Sequence, residues 1–177
     1  MIDAERELIE AARAGDLDSF GKLCERYYAP MVAVAYNVVR DHQLAEDAVQ
    51  EAFARGLVSL DRLKEPAKFA PWLARICRNA AIDLMRARRS QVRCDGLVPA
   101  PVRGTEGSAH QTVREAIASL PADVREVVVL RYYNGCSYEQ ISAVLGLSKM
   151  SINGRLTRAK RKLAKYLRRK GALENMS

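Results

Sequence analysis

The chain has 177 residues, 29 Lys and Arg against 21 Asp and Glu, and a formal net charge of +8. That length accommodates one medium domain or two small ones, and no apolar run approaches the ~20 residues a bilayer span requires. The acidic, polar start MIDAERELIEAARAGD is not a secretory signal, and four scattered cysteines (Cys24, Cys77, Cys94, Cys136) without a CxxC pair argue against a disulfide framework or a zinc finger, so a cytoplasmic protein is expected.

Apolar spacing is helical nearly throughout. A short helix around Leu8, Ile9 and Ala12 ends near Gly15. Phe20, Leu23, Tyr27, Met31, Val34 and Val38 recur at three and four and mark the next buried stripe. Pro30 interrupts it, which predicts a kink or a boundary near Tyr28. Asp41 is placed to cap a helix with Ala45, Ala48, Val49, Ala52, Phe53 and Leu57 on one side. Phe69, Trp72, Leu73, Ile76, Ala80 and Leu84 form a third stripe, in which Trp72 is expected to serve the core. Residues 91–111, QVRCDGLVPAPVRGTEGSAHQ, hold two prolines and three glycines without periodicity and read as a flexible linker. Helical pattern resumes at Thr112, and Pro121 suits the first turn of a helix that continues to Arg131 and stops at Gly135. The expected fold is all-α, with two small helical domains, 1–90 and 112–177, on a loose linker.

Charge is unevenly distributed. Residues 1–54 carry 5 Lys and Arg against 11 Asp and Glu, residues 55–90 carry 9 against 3, and residues 112–177 carry 13 against 5. The stretch 147–170 holds ten basic residues and no acid. Two basic patches on helices suit a polyanion, with nucleic acid the first candidate.

Residues 138–165, YEQISAVLGLSKMSINGRLTRAKRKLAK, have the pattern of a helix-turn-helix. Ile141, Val144 and Leu145 face inward on the first helix, Gly146 permits a left-handed turn, and Ser148 is an N-cap for the second. Ile152, Leu156, Ala159, Leu163 and Tyr166 form the seam of that second helix. Lys149, Ser151, Asn153, Arg155, Arg158, Lys160, Arg161 and Lys162 occupy its other faces. Such a helix can lie in a major groove with its N-terminal residues at base edges, where Arg155 could pair with guanine and Asn153 with adenine; a generic amphipathic helical hairpin has the same spacing. Later basic residues hold phosphates and set register.

Three stretches carry a family resemblance: LAEDAVQEAF (44–53), FAPWLARICRNAAID (69–83) with the basic MRARR (85–89), and LPADVREVVVLRYYNG leading through YEQISAVLGLS to GRLTRAKRKL (120–163). Together they resemble bacterial extracytoplasmic-function (ECF) RNA polymerase sigma factors, in both domains and in order. The resemblance implies a protein that binds core RNA polymerase and directs it to promoters, the first domain opening the −10 element and the second binding the −35 element as duplex. It implies docking on the polymerase clamp through Glu46, Asp47, Gln50 and Glu51. It places Lys64, Glu65 and Lys68 in a loop that captures an extruded base, and Asn79 and Asp83 near the opened strand. Arg75, Arg78, Arg86, Arg88 and Arg89 would supply its electrostatic track. The linker would run toward the RNA exit path, and an anti-sigma factor is an expected partner. Met150, Asn153 and Gly154 depart from the family's usual residues, which leaves the −35 sequence open.

The residues alone also suit a one-component helix-turn-helix regulator that never joins polymerase. An enzyme is not expected, since there is no Gly-rich phosphate loop and no paired His or carboxylate constellation. His42 and His110 lack partners at metal spacing, so neither metal nor cofactor is expected. Cys24 and Cys77 read as core, and Cys94 is the candidate for a redox-sensitive thiol.

Overall fold

A computed structural model describes residues 2–95 and 108–170. Its α-helices are α1 (Ile2–Arg13), α2 (Leu17–Val39), α3 (His42–Val58), α4 (Phe69–Asp95), α5 (Ser108–Ala118), α6 (Ala122–Val128), α7 (Tyr138–Leu145) and α8 (Lys149–Arg169). Two 3-10 turns, Leu60–Arg62 and Pro66–Lys68, join α3 to α4, and a π-helical turn, Val129–Tyr133, extends α6.

Two expected boundaries move. α4 continues to Asp95 and α5 begins at Ser108, so both ends of the expected 91–111 linker are helical, and residues 96–107 lie outside the described residues. MRARRSQVR continues α4 because it is rich in good helix formers and contains neither Gly nor Pro. α2 runs unbroken across Pro30. The ring removes one hydrogen bond, but Pro30 and its neighbours Met31, Val34 and Ala35 are all buried, and packing sustains the helix. Leu57, expected on the buried side of α3, is 36% exposed.

Local chemistry sets the helix ends. Asp16 accepts from the Asp18 amide, Asp41 from the Leu44 amide and Ser148 from the Ser151 amide. Ser137 and Gln140 form a reciprocal capping box at the start of α7. Gly146, at φ 66°, supplies the left-handed turn between α7 and α8, where a side chain would be strained.

The first core collects Ile9, Leu23, Met31, Val34, Val49, Phe69, Leu73 and Cys77 from α1 to α4. The second collects Leu120, Val124, Val127, Leu130, Ile141, Ile152, Leu156 and Ala159 from α5 to α8. The two cores are not separate. Val144 of α7 packs into the first, and Ala33 of α2 packs into the second. α7 lies against α4, and α6 lies against α2. The two domains are therefore docked.

Candidate nucleic-acid interface

α8 presents the face the sequence predicts. Ile152, Leu156 and Ala159 are buried, while Lys149, Ser151, Asn153, Arg158, Lys160 and Arg161 are exposed. Among the described residues, no ion pair holds Arg158, Lys160 or Arg161. Two basic side chains near the start of the helix do have partners. Lys149 pairs with Glu139 of α7, and this hydrogen bond is the first cause holding the Glu139 carboxyl down at about 2. Arg155 Nη1 donates to the Asp123 carbonyl at 3.3 Å, and its Nε lies 3.7 Å from the Asp123 carboxylate. Arg155 must leave Asp123 to reach a base. Gly154 faces open space, with nothing within 4 Å of the position a Cβ would take. The basic face also continues beyond Arg161. Lys165, Arg168 and Arg169 line an open groove beside Ser119 and Tyr166, a patch detectable in the sequence from the acid-free run alone.

α4 divides its basic residues among three directions. Arg75, Asn79 and Arg86 recur at four and seven and form one exposed strip. On one flank Arg78 Nη2 meets Glu126 of α6 at 2.9 Å. Asp83 accepts from Arg55 of α3 at 3.0 Å, and Arg88 meets Asp41, the α3 N-cap, at 2.9 Å. The Arg88 hydrogen bond is the leading cause holding the Asp41 carboxyl below the ordinary range. The Arg89 side chain lies outside the described residues. The exposed basic strip is thus narrower than the set the sequence offers. Just before α4, Lys64, Glu65 and Lys68 are exposed in one loop, with Lys68 Nζ 2.7 Å from Glu65.

On α3, Gln50 and Glu51 are exposed and Glu46 and Asp47 half-buried. Arg55 bridges Glu51 at 2.7 Å and Asp83 at 3.0 Å. Asp47, Gln50, Glu51, Arg55 and Asp83 line one open groove between α3 and α4. Asp83, four residues after Asn79, therefore stands where the Arg75 strip borders the acidic α3 face.

The junction between domains is built from polar groups the sequence reading left unassigned. Arg125 is 8% exposed. Its Nε donates to Asn37 Oδ1 of α2 at 2.8 Å and its Nη1 to the Leu120 carbonyl at 2.9 Å. Asn134 Nδ2 donates to the Ala29 carbonyl at 3.0 Å. His42 stacks on Tyr36 and on Tyr133, joining α3 to the π-helical turn. Glu126, 9% exposed, completes the set by pairing with Arg78. Burying a guanidinium and a carboxylate requires such partners; the Arg125–Asn37, Asn134–Ala29 and Arg78–Glu126 bonds cross the junction, and the Arg125–Leu120 bond lies within the second domain.

Cys77 is fully buried, its Sγ 3.4 Å from the Met31 carbonyl, and burial pushes its thiol up to about 12. Burial likewise raises Cys24 to about 11 and raises Cys136. The Cys94 side chain lies outside the described residues. Among the described residues no group of three or more His, Cys, Asp or Glu is gathered to hold a metal ion, and no helix is long and apolar enough to cross a membrane.

Comparison with known proteins adds an independent line. Residues 23–91 match the family described as Sigma-70 region 2, and residues 110–163 match Sigma-70, region 4. The probable RNA polymerase sigma factor RfaY of Xanthomonas campestris is 32% identical over 84% of this chain, which spans 40% of RfaY's length. The RNA polymerase sigma factor CnrH of Cupriavidus metallidurans is 30% identical over 93% of this chain and 95% of its own. The structure of CnrH in complex with the cytosolic domain of CnrY aligns with a TM-score of 0.62 at 30% identity, covering 93% of this chain and 97% of that one. The sigma factor RpoE from Bartonella quintana, solved with the anti-sigma factor NepR, aligns at 0.53 and 27% identity over 84% of this chain and 96% of that one. Several further relatives are named ECF RNA polymerase sigma factors.

Proposed function

The chain belongs to the sigma-70 family, in its extracytoplasmic-function (ECF) branch, and we propose how it acts as an alternative sigma factor. The acidic face of α3 (Glu46, Asp47, Gln50, Glu51) docks on a basic surface of core RNA polymerase, and opposite charge speeds that encounter. Arg75, Asn79 and Arg86 track the opened −10 strand, joined by Arg78 once it leaves Glu126, and by Arg89. Lys64, Glu65 and Lys68 receive the extruded base. Arg88 and Asp83 act indirectly, by fixing α4 against α3. α8 reads the −35 duplex through Ser151, Asn153 and Arg155, while Lys149, Arg158, Lys160 and Arg161 hold phosphates. Polymerase supplies the chemistry, so this chain is an initiation factor and not an enzyme. Its place of work is the cytoplasm, where polymerase and chromosome meet.

The observation that carries this reading is the pairing, on one chain, of an acidic helix face with a helix-turn-helix whose second helix carries no acid and packs Ile152, Leu156 and Ala159 into the core. A duplex-binding regulator needs the second and has no use for the first. An anti-sigma factor is the expected inhibitor. RpoE is solved with one, and CnrH, with the higher TM-score, is solved with the cytosolic domain of CnrY.

Reconstitution with bare bacterial core enzyme tests the assignment. Added full-length chain should confer initiation at selected members of a promoter library. Asp47→Arg should abolish initiation and core binding while −35 duplex binding persists. Wild-type chain that binds duplex tightly yet neither joins core enzyme nor directs initiation would overturn the reading.

A further inference from the structure

α1 has no part in the function proposed above, yet one of its side chains reaches the loop assigned to base capture. Arg13 is the last residue of α1. Its Nη2 donates to the main-chain carbonyl of Leu63, fifty residues further on. Leu63 is 4% exposed and directly precedes Lys64 and Glu65, both exposed. α1 also packs against the 3-10 turn Pro66–Lys68. The loop's other bonds are local. The Leu63 amide donates to the Leu60 carbonyl, the Lys68 amide to the Glu65 carbonyl, and Lys68 Nζ to the Glu65 carboxylate. Among the described residues, Arg13 is the side chain that ties this loop's backbone to another element.

The manner of the tie bears on its purpose. Arg13 Nε is buried without a hydrogen-bond partner. An orphaned buried donor is unfavourable, a cost this placement carries beside the Leu63 bond. A guanidinium does offer a planar, rigid fork that fixes the direction of what it holds. A loop that must accept an unstacked base gains from being shaped beforehand, because ordering it on binding would consume binding energy.

We infer that Arg13 is a positioning residue for −10 recognition, holding the Leu63 carbonyl so that residues 64–68 keep the shape that receives the extruded base. This inference rests on the base-capture role of the loop. Its test separates the two. Holoenzyme is assembled from bacterial core RNA polymerase and full-length chain, wild type or carrying Arg13→Ala, Arg13→Lys, or Lys64→Ala with Glu65→Ala. Each is presented with promoter duplexes randomised through the −10 and −35 positions, and initiating members are sequenced. Arg13→Ala should flatten the preference at one −10 position by about tenfold, with −35 preference, core affinity and melting temperature held. Arg13→Lys, which keeps a donor, should recover part of the preference. If the loop double variant flattens the −10 preference and Arg13→Ala does not, the role of Arg13 is refuted while the loop assignment stands. If the loop double variant changes nothing, the base-capture reading fails and the inference with it. If Arg13→Ala lowers melting temperature and erodes −10 and −35 preference alike, Arg13 is only a folding residue and the inference is overturned.

Discussion

Docking of the two domains makes a quantitative prediction at Glu126. Its carboxylate lies 2.9 Å from Arg78 Nη2, with side-chain exposures of 12% for Glu126 and 35% for Arg78. Breaking a fully buried pair by deleting one partner costs ~3–5 kcal/mol, whereas exposed pairs contribute ~0–1 kcal/mol. Glu126 is close to the first limit and Arg78 is well toward the second, so Glu126→Ala should weaken docking by ~1–2 kcal/mol. That shifts the docked-to-open ratio roughly 5- to 30-fold. The same change releases a cation on α4 beside the exposed Arg75 and Asn79. Glu126→Ala should therefore increase the radius of gyration in small-angle scattering and tighten binding of a non-specific single-stranded oligonucleotide. Combining it with Arg78→Ala should keep the expansion and lose the tighter binding. The charge swap Arg78→Glu with Glu126→Arg should restore compaction while leaving strand binding weak. An unchanged scattering profile together with unchanged strand affinity in Glu126→Ala would refute the argument.

Three further outcomes follow from the site. Asp41→Ala should cost ~1 kcal/mol through the lost α3 cap; because Arg88 and the Leu44 amide hold the Asp41 carboxyl down, its contribution is present above the ordinary pKa of ~3.9 and lost as pH falls through the lower folded value, so Asp41→Asn should flatten the acid limb of urea-unfolding stability. Arg155→Ala should weaken −35 duplex binding by ~1–3 kcal/mol and relax one position, while Asp123→Ala, which frees Arg155, should strengthen binding; both are read by selection from a duplex library. Native Cys24 and Cys77, raised to about 11 and about 12, should react with a thiol reagent at pH 8 at least ~10²-fold more slowly than in denaturant, as followed by peptide mass spectrometry.

Helix existence and inward faces were legible because they depend on local periodicity. The seam Ile152, Leu156 and Ala159 is buried as the spacing requires, and Asp41, Gly146 and Ser148 cap as their chemistry requires. The docked interface was not legible for an equally physical reason. Asn37, Arg125, Glu126 and Asn134 have the composition of an ordinary wet surface, and their partners lie 48 to 105 residues away. Periodicity shows that Val144 faces inward, yet not that the inside it faces belongs to α4 and its neighbours. The same blindness to partners hid the ion pairs of Arg78, Asp83 and Arg88. A helix of 27 residues turns its side chains in every direction, and only the neighbours reveal that Arg78 reaches α6 while Asp83 and Arg88 reach α3 and its N-cap.

The docked form and a promoter-bound form must be distinct states. A compact chain of this length has a radius of gyration of ~16 Å and a diameter of ~40 Å. Elements centred near −35 and −10 lie about 25 base pairs apart, ~85 Å along B-DNA at ~3.4 Å per pair. With Val144 seated in the first core, α8 and α4, in the −35 and −10 roles proposed for them, cannot occupy both elements together. The 12 residues 96–107 span at most ~40 Å when extended, which, added to the widths of two small domains, is of the order required once the domains part. Undocking therefore precedes simultaneous recognition. Its free-energy cost is levied on promoter affinity, and whatever holds the Asn37–Arg125 and Arg78–Glu126 contacts closed weakens promoter binding by the same factor by which it stabilises the docked state.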